Sequence, residues 1–380
     1  MTSLFNDFKE CIEECFQEAI RLTKEIAVIP APSGQEARRA RLVCDYLRSV
    51  GAPANIDGEN NVIVELGEVY RGNATVFCAH TDIVFPESVE LKVREEDGRL
   101  YCPGIGDDTA CLAVMLTVIA FIRRKRLKPK RPLIFVANSC EEGLGNLRGT
   151  RAIMKTYEGL VSEFYSFDSQ YTALSVRAVG SHRYKVECKT QGGHSFGEFG
   201  NENAIVALSR LIGELYSIPL PSSEDSVTTY NVGTIEGGTS VNTIAERASM
   251  LYEYRSDDAD CLDYMKKEFF GRIEAARNCG KASFEVTEVG VRPCGKGVDR
   301  ERHEEMISRA SDICRKHSGL PCFVGSGSTD CNIPLSMGIP AVCLGVFLGA
   351  GAHTEGEYIY KDSLKVGLLI AGELILEMFE

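Results

Sequence analysis

The stretch VFCAHTDIV, residues 76–84, is an apolar segment that runs out at a histidine and an aspartate two positions apart. Its aliphatic and aromatic residues read as a buried strand. Side chains alternate faces along a strand, so His80 and Asp82 point the same way. A carboxylate beside an imidazole fixes the tautomer, raises the basicity and presents the other ring nitrogen to a metal or a proton. Taken alone, the pair reads as well as a polar strand end with a satisfied histidine. Similar runs at 61–66 (NVIVEL), 132–139 (PLIFVANS) and 163–169 (EFYSFDS) are separated by helix-like segments near 9–27, 35–50 and 109–124. That alternation predicts an α/β layer with a largely parallel sheet.

Past residue 180 the rhythm changes. RYKVECK, VTTYNVGTI, RASMLYEYR and ASFEVTEV read as strands, with helix-like segments beginning at NENAIV and DADCLD. The order βαββαβ is the split ferredoxin-like unit. After it, a helix at RERHEEMISRASDICRKH, the apolar IPAVCLGVFL and an amphipathic C-terminal helix resume the first pattern. The expectation is one α/β domain over 1–180 and 297–380, interrupted by an inserted domain at 181–296.

The 380 residues exceed what one core usually supports, which agrees with two domains. A net charge of -12 argues against nucleic acid or an anionic membrane as partner. The one basic cluster, RRKRLKPKR at 123–131, reads as a solvated helix end and loop. The 15 cysteines are scattered and form no CxxC pair, so they read as reduced and buried, and the compartment as cytoplasmic. The N-terminal segment mixes acidic residues into a helical period and so does not read as a signal peptide. The longest apolar run, at 110–122, is too short to span a bilayer and reads as a buried helix.

Open α/β sheets place their sites beyond the carboxyl ends of strands. Five places qualify: His80 with Asp82; Asp107 and Asp108 in PGIGDDTA, which could equally cap a helix; Glu141 and Glu142 in NSCEEGLG; Asp168 in YSFDSQ; and His353 in GAGAHTEGEY. Together they supply two imidazoles and several carboxylates at one sheet edge. Nitrogen and oxygen donors without thiolate suit Zn²⁺, Co²⁺ or Mn²⁺ in a hydrolytic role. The surplus of carboxylates fits two ions, a bridging acid and a separate base.

The order His-x-Asp, Gly-Asp-Asp, Glu-Glu-Gly, Asp and a late His-Thr-x-x-Glu resembles the co-catalytic zinc peptidase family that includes peptidase T, acetylornithine deacetylase, succinyl-diaminopimelate desuccinylase, aminoacylase and glutamate carboxypeptidase. The resemblance runs from IPAPSGQE at 29–36 to HTEGEYI at 353–359. It implies a zinc-peptidase-like α/β catalytic domain whose ferredoxin-like insertion serves as a lid or dimerisation domain. It further implies that His80 and Asp168 bind one metal, that Glu142 and His353 bind the other, and that Asp107 bridges them ahead of a cis peptide bond. Asp82 would orient His80, and Glu141 would be the general base. The resemblance implies too that in the lid His194 of GGHSFGEFG would reach a substrate oxygen, often from the partner subunit of a dimer, and that Asn242 of GGTSVNTIAE and Arg255 of YEYRSDD would hold a substrate carboxylate; outside the lid, Gly327 would line the cleft. Many relatives carry lysine two residues after the bridging aspartate, where this chain has Thr109. APSG and Asp168 lean toward the peptidase T-like branch.

The reading is therefore a two-metal hydrolase of short peptides, zinc being the first choice of metal. The alternatives are an N-acyl-amino-acid deacylase with the same centre and a non-catalytic peptide-binding protein; the intact Glu141 and ligand set weigh against the latter. A homodimer through the lid is implied by the resemblance.

Overall fold

The computed structural model describes residues 3–223 and 226–379. The chain divides into two compact units, one formed by the segments up to Ala178 and from Lys296 onward, the other by Val179–Gly295.

In the first unit the apolar runs assemble into an eight-stranded sheet. Its spatial order is Ala54–Ile56, Val62–Leu66, Leu133–Asn138, Ala74–His80, Val161–Phe167, Ala341–Leu344, Ala173–Ala178 and Phe323–Gly327. Every residue of Ala74–His80 is buried because both faces of the sheet are covered. Phe77 and Ala79 pack into a core with the helices Ile12–Ala27, Ala37–Ser49, Cys111–Arg124 and Ser363–Leu376. Val76 and Cys78 face the opposite core, with Ile153 and Met154 of the helix Arg148–Thr156. Burying each large apolar side chain stabilises such a layer by about 1.5–3 kcal/mol. The apolar run at 110–122 is the buried body of the helix Cys111–Arg124.

The sheet is mixed instead of largely parallel. Leu133–Asn138, Ala74–His80, Val161–Phe167 and Ala341–Leu344 form three consecutive parallel ladders. Val62–Leu66 joins antiparallel on one side, and Ala173–Ala178 runs antiparallel to Ala341–Leu344 on the other. Residues 168–172 are too few to carry the crossover that a parallel neighbour requires, so the strand after them reverses direction. A smaller sheet, ordered Gly349–Ala350, Tyr358–Tyr360, Arg99–Tyr101 and Arg94–Glu96, brings the segment at 351–357 beside the one at 102–107. Its strands are too short to show a period in the sequence.

The second unit has the strand Gly180–Lys189, the helix Ala204–Tyr216, the strands Thr228–Gly237 and Arg247–Ser256, the helix Ala259–Cys279 and the strand Ser283–Arg292. These four strands pair antiparallel in the order Thr228–Gly237, Arg247–Ser256, Gly180–Lys189, Ser283–Arg292. The helices cover one face, where Leu208, Leu211, Met265 and Phe269 join Tyr184, Val186, Met250 and Tyr252. Asn203 and Asp258 cap them by accepting backbone N–H groups of the first turn. All fifteen cysteines are free thiols, and all but Cys11, Cys279 and Cys322 are buried.

Candidate functional site

Strand register builds the site. Cys78 stands level with Val136 on one neighbour and Ser166 on the other, and His80 is level with Asn138. The three parallel strands therefore end together. The chain leaves the first neighbour into Ser139, Cys140, Glu141 and Glu142, and leaves the second into Asp168.

Asp107 enters from the segment ahead of the helix Cys111–Arg124. The Asp107–Asp108 peptide bond is cis. The helix N-cap is Ala110 and no side chain caps it, so the two aspartates are not there as caps. Asp107 Oδ1 lies 3.0 Å from His80 Nε2, and Asp107 Oδ2 lies 3.1 Å from His353 Nε2. His353 Nε2 also lies 3.2 Å from Glu142 Oε1. One donor atom from each of His80, Asp107 and Asp168 falls within 4.8 Å of the others, and the same holds for Asp107, Glu142 and His353, and for His80, Glu141 and Glu142.

Asp82, fully buried, does more than face His80, whose Nδ1 is 3.4 Å from its Oδ1. Its Oδ1 accepts the backbone N–H of Glu141 at 3.0 Å, and its Oδ2 accepts that of Glu142 at 2.9 Å. The Ser33 hydroxyl donates to Oδ2 at 2.6 Å. Burial opposes ionisation of Asp82, but hydrogen bonds and charge from His80, with those from Ser33 and the Glu142 amide, outweigh it and hold the carboxyl low.

The remaining electrostatics show carboxylates in excess. Burial and the Asp107 charge push Asp168 up to about 7. Burial is also resisted at Asp107, where hydrogen bonds from His353 and His80 hold the carboxyl well below its usual range. His353 is pushed up to about 10 by hydrogen bonds to Asp107 and Glu142. At His80 burial disfavours the charge, yet Asp107 and Asp82 raise the imidazole well above its usual value. Two imidazoles facing a carboxylate-rich cluster of hard and borderline donors fit divalent cations, which would neutralise the excess.

Glu357, four residues after His353, went unassigned in the sequence although it lies in the quoted motif. Its carboxylate accepts backbone N–H groups from Gly104 at 2.6 Å, Gly106 at 2.8 Å and Asp107 at 2.9 Å, and so holds the segment bearing Asp107. Burial pushes it up to about 7, against these bonds. Asp330 is a second buried carboxylate behind the site, bonded to Asn138 Nδ2 at 2.6 Å and to the Thr150 hydroxyl.

The other residues singled out lie elsewhere. His194 and Asn242 are neighbours in the second unit, where Gly193–His194 pairs with Thr243–Ile244 and the Ser195 N–H donates to the Asn242 carbonyl at 3.0 Å. Arg255, on the strand Arg247–Ser256, pairs with Glu253 at 2.9 Å. Gly327 ends the edge strand of the first unit, where a Cβ would run into Ser175.

A sequence model described as Peptidase family M20/M25/M40 matches residues 76–377. The succinyl-diaminopimelate desuccinylase of Corynebacterium glutamicum is 28% identical over 247 residues, covering 63% of this chain and 66% of that enzyme. The fold is shared with the aminopeptidase PepT of Bacillus cereus, at a TM-score of 0.73 and 22% identity over 96% of this chain and 98% of that one. A tripeptidase of Staphylococcus aureus aligns with a TM-score of 0.76 and 22% identity over 95% of this chain and 99% of that one.

Proposed function

The chain belongs to peptidase family M20/M25/M40, a family of metal-dependent peptidases and amidohydrolases, and from that premise we propose that it is a two-metal aminopeptidase acting on short peptides. The observation that carries this reading is the sharing of Asp107, whose two oxygens face His80 on one side and His353 on the other. Two of the three donor groups then share Asp107 alone: His80, Asp107 and Asp168, and Asp107, Glu142 and His353. Zinc is the first choice for both, with cobalt and manganese as alternatives of similar donor preference.

When bound, such a pair of ions polarises the scissile carbonyl and lowers the pKa of the attacking water. The protein's own groups supply the rest. Glu141, beside the ligand Glu142 and anchored through its backbone to Asp82, takes the proton from the water and returns it to the leaving amine. Asp82 orients His80 and sets the position of both glutamates. The inserted unit acts as a ferredoxin-like lid. Its His194 stabilises the developing oxyanion, an interaction worth about 3 kcal/mol when a single such donor is removed, and its Asn242 and Arg255 hold a substrate carboxylate. Gly327 lines the substrate cleft with its backbone. Pairing of two chains through the lid and residence in the cytoplasm belong to the same proposal.

A second reading, an N-acyl-amino-acid deacylase with the same centre, is favoured by the match to a desuccinylase. Amine release by the metal-reconstituted protein, from matched panels of di- and tripeptides and N-acyl amino acids, separates the two. Cleavage of free-amine peptides that is lost in Glu141→Gln supports the aminopeptidase. Cleavage confined to acylated substrates moves the chain to the deacylases, and bound metal without any cleavage overturns both.

A further inference from the structure

Arg39, on the helix Ala37–Ser49, is 0% exposed. Removing a guanidinium from water costs several kcal/mol even after relaxation, and such charges usually persist through a direct ion pair. Arg39 makes none among the described residues. Its acceptors are neutral: Nε donates to the Ile29 carbonyl at 2.8 Å, and Nη1 donates both to the Thr81 carbonyl at 3.0 Å and to Thr109 Oγ1 at 3.2 Å. Nη2 has no hydrogen-bond partner. Burial pulls its pKa down to about 10, so it is still charged at neutral pH; Asp82 and Glu357 are among the charges that oppose the fall.

The acceptors share one property, since each belongs to a segment that builds the metal centre. Thr81 lies between His80 and Asp82. Thr109 follows Asp107 by two residues, and its hydroxyl passes the contact on by donating to the Gly104 carbonyl at 2.6 Å. Gly104 is also one of the residues whose N–H Glu357 holds. Ile29 opens the stretch whose Ser33 bonds Asp82. Asp82 and Glu357, whose charges Arg39 feels, are the two carboxylates that grip the backbone of Glu141 with Glu142 and of Asp107. The Thr109 hydroxyl accepts from Arg39 and donates to Gly104 at once, which an ammonium, having no acceptor, could not do.

We propose that Arg39 and Thr109 form a positioning brace for the metal centre, one buried cation fixing the separation of the His80 and Asp107 segments while balancing the carboxylates that hold them. The inference rests on the metal-centre reading above but not on any particular substrate. Thr109→Val removes both hydroxyl bonds at nearly constant shape, Thr109→Ser restores them, and Arg39→Met removes the charge at similar length.

The test titrates metal-free wild type and variants with Co²⁺, followed by visible absorbance, alongside thermal unfolding and steady-state kinetics. Thr109→Val should unfold close to wild type yet bind Co²⁺ about 10- to 100-fold more weakly with an altered spectrum, and lose kcat at unchanged KM. Thr109→Ser should recover all three, and Arg39→Met should match or exceed the valine defect. A folded Thr109→Val with wild-type Co²⁺ affinity, spectrum and kcat overturns the brace, even if Arg39→Met fails to fold. A wild type that binds Co²⁺ but cleaves no amide overturns the proposed activity instead, and the Co²⁺ comparison still judges the brace.

Discussion

Asp82 and Glu142 are joined through the backbone: Oδ2 of the aspartate accepts the glutamate N–H at 2.9 Å, while Oδ1 accepts that of Glu141 at 3.0 Å. One carboxylate therefore registers the proposed base and a proposed ligand against the strand end that carries His80.

Replacing Asp82 should damage both glutamates as well as the imidazole. Asp82→Asn keeps the shape but turns an amide toward a backbone N–H. The expected result is a fall of about 10- to 100-fold in kcat together with weaker metal binding. Kinetics and elemental analysis of dialysed protein check it, and a variant that loses activity while holding wild-type metal would restrict Asp82 to a role in turnover.

The adjacent glutamates should separate cleanly. Glu141→Gln is expected to lower kcat by about 10²- to 10⁴-fold while both metals stay bound. Glu142→Gln should lose metal too, because its carboxylate faces His353 at 3.2 Å. Equal metal content in the two variants would refute that division.

Glu357→Ala would strip the acceptor from three backbone N–H groups in a region where Glu357 itself is 2% exposed. Each buried donor left unmade costs about 1–3 kcal/mol, so a marked fall in the unfolding midpoint is expected, with weaker metal binding through displacement of Asp107. An unchanged midpoint would mean that water replaces the carboxylate.

Stability of the metal-free protein should decline as pH rises from about 5 to about 9. Asp168 and Glu357, both near 7 in the fold and lower when unfolded, bind protons preferentially in the native state, so their contribution disappears as pH climbs to about 7. His353, raised to about 10, contributes stability that is complete below about 6.5 and lost toward 10. Asp82 and Asp107, both held low, have made their contribution below this window. Thermal unfolding across pH checks the slope, and saturating Zn²⁺ should flatten it by replacing protons with metal. A metal-free midpoint that rises with pH would contradict these shifts.

Much of the centre was legible in the chain because its donors sit at strand ends, and strand ends are local features. His80, Glu141, Glu142 and Asp168 follow continuous apolar runs, Asp107 precedes a buried helix and His353 follows a glycine-rich apolar stretch; the family resemblance divided these residues between two metals. Glu357 was quoted within its motif but left without a role, since nothing local says that its oxygens reach back some 250 positions to Gly104, Gly106 and Asp107. Arg39 is one of three arginines in ARRAR, and nothing local separates it from its exposed neighbours Arg38 and Arg41.

The sequence by itself determined the long strands and helices and which residue types stand where they end, because periodicity and side-chain chemistry act within a few residues; the short strands of the small sheet carry no such period. The tertiary structure decided the mixed order of the sheet, the grip of Asp82 on two amides, the hold of Glu357 on the Asp107 segment and the contact of Arg39 with Thr109. Those depend on which distant elements bury one another's faces, and hydrogen-bond partners for buried polar groups are set only once that packing has excluded water.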